Sequence, residues 1–254
     1  MAREFGADLP AARFVAAGGR TVAAGFDDGT VAAWDADTAT QRFAVSDDRD
    51  LAAIDVSADG DLVAISQFEE PVRILDDDGV TQQVVEVSDD FDAAALAFSP
   101  DRSLLAVAEA PHRRGAPGQI RIWDLERETV TQTLQTFPGY AINVEFDATG
   151  GRLVAALIDR AGLWDVDSAR IVSQLRGHRG SVSSVAFDAG GSNVATASFD
   201  GTVRLWDADA GVYLLELSGH DARVESARFS ADGTMLASAG ADGIARVWAW
   251  TSVT

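Results

Sequence analysis

His112, His178 and His220 are the only side chains here with an ordinary pKa near neutrality, so a proton-transfer or metal site would have to draw on them. They lie in different stretches of the chain, which disfavours a shared metal. Cysteine is absent, which removes thiolate nucleophiles, thiolate metal sites and disulfides. Two acidic runs, Asp76-Asp77-Asp78-Gly79 and Asp47-Asp48-Arg49-Asp50, are dense in the oxygen ligands that calcium prefers. Neither has alternating acidic positions followed by a downstream bidentate Glu, so solvated turns are the better reading. Gly18-Gly19 and Gly190-Gly191 read as hairpin turns, not phosphate loops. No catalytic motif, metal site or cofactor site is expected from these residues.

The elements that position the histidines follow from an internal repeat. Trp-Asp occurs at 34–35, 123–124, 164–165 and 206–207, and Trp248-Ala249 stands in the same frame. The spacings from 123 onward are 41, 42 and 42 residues. Leu75-Asp76 fills the long gap after Trp34, which makes six units ending near Asp35, Asp76, Asp124, Asp165, Asp207 and Ala249. The third unit is longer, with its extra residues between Glu109 and Gln119. Turn sequences such as Ser57-Ala58-Asp59-Gly60 and Ser230-Ala231-Asp232-Gly233 keep the same frame. Each follows an apolar residue: Val56, Phe98, Phe146, Phe187 or Phe229, with Phe14 opening the series. Runs such as 193–198 and 202–206 read as strands, and Asp-Gly at 28–29, 200–201 and 242–243 reads as hairpin turns.

Gly177-His178…Trp206-Asp207 and Gly219-His220…Trp248, on a period of about 42 residues, resemble the WD40 repeat. The resemblance covers essentially the whole chain. It implies an all-β fold, a β-propeller of six four-stranded blades in one domain over residues 1–254. A lone four-stranded sheet has two apolar faces, so blades must stack on one another. The sixth unit ends at Thr254 without its outer strand, and Ala2-Arg3-Glu4-Phe5 is a thin candidate to supply it. A closed six-bladed ring is expected; an open ring, or one completed by another chain, is the alternative.

The resemblance also implies a hydrogen-bonded tetrad within a blade. Unit five supplies His178, Ser198, Asp200 and Trp206. Unit six supplies His220, Asp242 and Trp248, with Gly240 at the hydroxyl position. Unit one has Phe26 there, unit two has Gln67 and Leu75, and unit four has Ile158 where Asp is expected. Half-made polar networks are costly, so unit two is expected to be the least regular.

Strand a of each blade would line the central channel. One residue before the repeated aromatic stand Arg13, Asp55, Ala97, Glu145, Ala186 and Arg228. A propeller hydrolase or lactonase would use Asp55 and Glu145; the alternative is a water-lined channel with compensating charges. The tips of the b–c hairpins are expected to expose Asp27, Phe68, Leu157, Phe199 and Ala241. Phe68 and Phe199, with His112, Arg113 and Arg114 in the third-unit insertion, Tyr140, Arg179 and Arg223, form the candidate partner-binding set. They point to a non-catalytic scaffold for a protein or peptide partner, or to the propeller module of a larger signalling protein.

Composition sets outer bounds. All 20 bases are Arg, against thirty Asp and ten Glu, for a net charge of −20. Such a field repels phosphate backbones, so nucleic acid is not an expected partner. Abundant short carboxylates without Lys fit a salt-accumulating host, and a GC-rich genome is the competing explanation. No run of about 18 apolar residues occurs, and residues 1–14 lack an apolar signal core, so a monomeric cytoplasmic protein off the membrane is expected.

Overall fold

The computed structural model describes residues 9–46 and 49–249. The candidate closing strand at Ala2–Phe5, and Asp47 and Asp48 of one acidic run, lie outside the described residues. Among the described residues the chain forms 23 strands in six small antiparallel sheets, five of four strands and a last one of three. This is the blade architecture of a β-propeller, as the repeat predicts.

Sheet one is β1 (Ala12–Gly18), β2 (Thr21–Phe26), β3 (Val31–Asp35) and β4 (Gln41–Val45). Sheet two is β5 (Leu51–Val56), β6 (Val63–Gln67), β7 (Val72–Leu75) and β8 (Thr81–Val85). Sheet three is β9 (Phe91–Phe98), β10 (Leu104–Pro111), β11 (Pro117–Asp124) and β12 (Thr129–Pro138). Sheet four is β13 (Asn143–Phe146), β14 (Arg152–Ala156), β15 (Arg160–Asp165) and β16 (Arg170–Arg176). Sheet five is β17 (Val182–Phe187), β18 (Asn193–Ser198), β19 (Thr202–Asp207) and β20 (Tyr213–Ser218). Sheet six is β21 (Val224–Phe229), β22 (Met235–Gly240) and β23 (Ala245–Ala249).

The chain gathers into two compact units: Met1–Arg114 with Arg121–Thr131, and Gly115–Ile120 with Gln132–Thr254. In the first unit, Ala23, Val31 and Ala33 of sheet one pack with Leu51, Val63, Ile65 and Leu75 of sheet two. The other face of sheet two, with Ala64, Val72 and Ile74, packs on Leu96, Phe98, Leu105 and Val107 of sheet three. In the second unit, Val154, Ala156 and Leu163 of sheet four pack on Val185, Phe187 and Trp206 of sheet five. Ala195, Ala197, Val203 and Leu205 of sheet five then pack on Val224, Ala227 and Leu236 of sheet six. The alternation of side chains along each strand thus gives sheet two, and likewise sheet five, one face for its predecessor and one for its successor.

The turn marker falls where the repeat places it. Ser57, Ser99, Asp147, Asp188 and Ser230 each donate a backbone N–H to the carbonyl five residues on, at 2.9–3.0 Å, closing the a–b hairpins. Sheet one departs from this. Gly18 pairs with Thr21 across a tight turn, and Ala17, not Phe14, opposes Val22 at the position that Phe187 and Phe229 hold elsewhere. The shortened turn moves the register, so Ala16 and not Arg13 takes the position that Glu145 and Arg228 hold in sheets four and six. Sheet two, expected to be the least regular, pairs along all four strands. Its tetrad positions are apolar: Ile65 and Leu75 are both buried, so no half-made network is left to disturb it.

Candidate functional site

The tetrad of sheet five is a single chain of hydrogen bonds. Trp206 Nε1 donates to Thr196 Oγ1 at 2.9 Å, and Thr196 Oγ1 lies 2.7 Å from His178 Nε2. His178 Nδ1 is 2.9 Å from Asp200 Oδ2. With the Trp donor fixed, the consistent arrangement has the Thr196 hydroxyl donating to Nε2 and Nδ1–H donating to Asp200. The hydroxyl is therefore Thr196, not Ser198. Ser198 Oγ instead accepts from Asp200 N–H at 3.1 Å and donates to the Gly180 carbonyl. The reason is position along the strand. Thr196 and Trp206 point to the same face, and a residue two further along β18 lies one step closer to the hairpin tip.

Sheet six repeats the network. Trp248 Nε1 donates to Ser238 Oγ at 3.0 Å, Ser238 Oγ is 2.9 Å from His220 Nε2, and His220 Nδ1 is 2.9 Å from Asp242 Oδ2. Gly240 is thus not a missing hydroxyl. Both hydroxyl residues lie ten positions before their Trp, a spacing visible in the sequence.

The buried tetrad of sheet five lowers the pKa of its base and of its acid, by different causes. Burial pushes the His178 imidazole below its usual pKa, against the pull of Asp200, so it is neutral at pH 7. Burial opposes ionisation of Asp200, but hydrogen bonds from Thr202, the Arg179 N–H and His178 outweigh it and hold the carboxyl well below the usual range. Asp242 is held low in the same way by His220 and the N–H groups of Ile244 and Asp221. The Gly before each His also has a cause. Gly177 has φ +138°, a conformation that other residues rarely adopt, and a Cβ there would stand 2.4 Å from Arg204 Nη1 and displace the guanidinium that meets Glu216 at 3.0 Å.

The WD domain, G-beta repeat family model matches residues 169–207 and 211–249, the stretches that carry these two networks. The protein is a WD40-repeat protein. A search of curated proteins finds no significant match to the chain.

In this WD40-repeat protein the tetrad is confined to sheets five and six among the described residues. In sheet three, Glu109 is fully buried and takes Arg121 Nε at 2.6 Å. Arg121 also reaches the Glu86 carbonyl, and its guanidinium lies 5.2 Å over the Trp123 ring. Trp123 Nε1 is buried without a hydrogen-bond partner. Val107, two residues beyond the Leu105 that opposes Phe98, stands where Thr196 stands in sheet five.

The hairpin tips share one device. Asp27, Phe68, His112, Phe199 and Ala241 each donate a backbone N–H to the residue just before strand a, at 2.9–3.3 Å. The acceptors are Ala11, Asp50, Asp90, Ser181 and Arg223. The tip backbone is fixed and its side chain faces outward. Leu157 breaks the expectation: sheet four has a shorter tip, Leu157 is buried, and Ile158 is exposed in its place.

In the first unit Phe68 is 51 % exposed. The next residue, Glu69, donates its N–H to Asp92 Oδ1 at 2.8 Å, and Asp92 Oδ2 is 3.2 Å from His112 Nε2. Arg113 and Arg114 follow, both exposed. In the second unit Phe199 is 45 % exposed, with the Arg223 guanidinium 5.3 Å over its ring. Arg223 also pairs with Glu225. Arg179 is exposed beside a shallow cleft of about 150 Å³ that it lines with Asp200, Thr202, Arg204 and Glu216. Tyr140 is half-buried after β12.

The strand-a carboxylates bind backbone. Asp55 Oδ2 accepts the Phe98 N–H at 2.8 Å, and Glu145 Oε1 accepts the Phe187 N–H at 2.8 Å. Asn143 Oδ1 accepts the Val185 N–H at 2.9 Å beside it. Each of these side chains ties strand a of its own sheet to strand a of the next. Burial pushes the Glu145 carboxyl above its usual range, while Arg228 and the Phe187 N–H pull it down. The acidic run at 76–79 is a turn: Asp76 Oδ1 accepts from the N–H groups of Asp78 and Val80. Among the described residues no cluster of three His, Asp or Glu side chains is placed to hold a metal, and no helix is long and apolar enough to cross a membrane.

Proposed function

We propose that this WD40-repeat protein is a non-catalytic scaffold whose hairpin tips hold a protein or peptide partner. The observation that carries the reading is the tip device. A backbone hydrogen bond fixes Phe68 and Phe199 at the ends of their hairpins, yet about half of each ring stays in water. A folded chain gains little from an exposed Phe, whereas a partner gains a pre-ordered aromatic anchor. Arginine stands close to both: Arg223 stacks on Phe199, and Arg113 and Arg114 follow the His112 that shares Asp92 with the Phe68 tip. Aromatic rings with guanidinium groups are the side chains that dominate interface energetics.

The enzymatic alternative rests on Asp55 and Glu145. Both carboxylates are engaged by main-chain N–H groups. Their geometry supports a role in joining sheets.

The test is affinity capture from source lysate at native salt, with wild type beside a folded variant carrying Phe68→Ala, Phe199→Ala, Arg113→Ala and Arg114→Ala. A protein retained by wild type and lost by the variant supports the tip surface. Equal capture by both removes it, and turnover of a substrate abolished by Glu145→Gln would replace the scaffold reading altogether.

A further inference from the structure

The cleft beside the sheet-five tip holds more hydrogen-bond donors than acceptors. Arg179, Asp200, Thr202, Arg204 and Glu216 line it. Both of its carboxylates are taken. Asp200 Oδ2 accepts from His178 Nδ1 and from the Arg179 N–H, each at 2.9 Å, and Oδ1 accepts the Thr202 N–H at 3.0 Å and its hydroxyl at 2.7 Å. Glu216 Oε2 accepts from Arg204 Nε at 3.1 Å and Nη2 at 3.0 Å, and Oε1 accepts the Ser218 hydroxyl at 2.9 Å. The Arg179 guanidinium, by contrast, is exposed and has neither a hydrogen bond nor an ion pair among the described residues. The chain has 40 carboxylate side chains for 20 arginines, yet this arginine has no carboxylate. Its five N–H donors form a planar fork that matches a carboxylate.

The backbone that carries this side chain is fixed. The Arg179 N–H is tied to Asp200, and the Phe199 N–H donates to the Ser181 carbonyl at 2.9 Å. Between these two bonds Gly180 lies against the tip: a Cβ there would stand 2.8 Å from the Asp200 nitrogen and 3.0 Å from the Phe199 carbonyl carbon. Residues 179–181 are therefore clamped to the hairpin tip that presents the half-exposed Phe199 ring. A ligand that uses both has little backbone left to order.

We propose that the cleft seats a carboxylate side chain of a partner peptide, held by Arg179, while an apolar residue next to it in that peptide covers Phe199. This names the partner chemistry for the hairpin-tip reading and rests on that reading. Hydrogen-bond capacity selects the charge sign: a basic side chain would find both carboxylates of the cleft already engaged, whereas an acidic one supplies the missing acceptor. Charge selects a carboxylate over a phosphate. The two guanidinium groups and two carboxylates of the lining cancel, and a dianion would meet Asp200 and Glu216 with twice the repulsion of a single negative charge. The net charge of −20 opposes an acidic peptide from afar, but from 0.1 M salt upward the screening length is about 10 Å or less, so the groups in the cleft decide at contact.

The probes are capped octapeptides with one central Glu flanked by Leu or Phe, beside the same peptides with Gln or phosphoserine in place of Glu. Binding to the full chain is followed through the Nε–H signals of nitrogen-15-labelled arginine, at the lowest KCl concentration that keeps the chain folded by circular dichroism. These signals register weak contacts one residue at a time, and Arg179→Gln assigns the one that matters. The Glu peptides should move the Arg179 signal and bind about tenfold or more tightly than the Gln peptides. Arg179→Gln keeps the backbone donor to Asp200, so the fold should survive; it should erase the preference for Glu and leave binding of the Gln peptides unchanged. Phe199→Ala should weaken both sets alike. Glu peptides that bind no better than Gln peptides, a preference that survives Arg179→Gln, or tighter binding of phosphoserine each overturn the proposal. If Phe199→Ala weakens both sets while Glu and Gln bind equally, the carboxylate site falls and the hairpin-tip reading stands. If Phe199→Ala changes neither set, both fall together.

Discussion

Sheets three and five place a tryptophan at the same strand position and support it in different ways. In sheet five Trp206 ends a neutral relay through Thr196 and His178 to Asp200. In sheet three Trp123 lies under Arg121, which a buried Glu109 holds, and its indole N–H has no acceptor. The difference is between a network that satisfies every member and an ion pair that leaves one donor orphaned. Sheet two offers a third solution, with Ile65 and Leu75 filling the positions of hydroxyl and Trp. The repeat therefore requires filled volume at these positions and does not require the tetrad. The tetrad is one way to make polar groups tolerable there.

The largest effect should come from breaking the sheet-three pair. Glu109→Ala leaves the Arg121 guanidinium without its carboxylate in a buried setting, which costs about 3–5 kcal/mol. Urea unfolding of the variant should show it as a lowered midpoint. A loss below 1 kcal/mol would mean that the Glu86 carbonyl and the Trp123 ring suffice to hold Arg121.

The tetrad should be less costly to break, and its position can be sharpened. Thr196→Val keeps the shape but strips the acceptor from Trp206 and the donor from His178, for about 2–3 kcal/mol. Ser198→Ala removes one acceptor from the Asp200 N–H and should cost about 1 kcal/mol. Equal losses would return Ser198 to the tetrad. Acidification tests the same network. His178 has a lowered pKa in the folded state, so below about 6.5 the unfolded chain binds more protons than the folded one. Stability should therefore fall as pH drops from 7 through this window, and His178→Asn should flatten the fall. Asp200 and Asp242, held below 3.8, add a second loss at lower pH, present above that value and removed beneath it.

Much of this was legible beforehand because the repeat is written in turn and Trp spacings, which depend on local chemistry. The six sheets, the a–b turns at Ser57, Ser99, Asp147, Asp188 and Ser230, and the His–Asp pairs all fall in the expected frame. The structure departs from expectation where a short shift along the chain places a different side chain at a given point of the sheet. Phe14 attracted the first-unit alignment as an aromatic, yet the two-residue turn at Gly19-Arg20 puts Ala17 in that place. Ser198 adjoins the Asp-containing tip and so fits the expected hydroxyl position, whereas the hydrogen bond from Trp206 selects Thr196. Leu157 turned inward because the sheet-four tip is shorter. The Glu109–Arg121 pair lay in no family position and had no spacing signal. The tip residues Phe68 and Phe199 were legible as exposed aromatics, and a sequence carries no record of what they meet.

The smallest and most discriminating effect is a gain. If the comparison between sheets three and five is right, the defect of sheet three is a missing acceptor at Val107. That side chain is fully buried in the cluster against which Trp123 packs. Val107→Thr conserves volume and brings a hydroxyl to the place where Thr196 meets Trp206. A buried hydroxyl alone is unfavourable, so the substitution should destabilise any site without a waiting donor. Here the indole N–H waits, and satisfying it should offset the hydroxyl's own desolvation and leave a net gain of about 0.5–1 kcal/mol. The same change at Val194, which has no orphaned donor beside it, should lose stability. A gain at 107 with a loss at 194, read from paired urea titrations, would show that the tetrad position in sheet three is vacant but competent. A loss at both would mean that Arg121 over the indole already meets that site's needs, and that the ion pair replaces the tetrad in full.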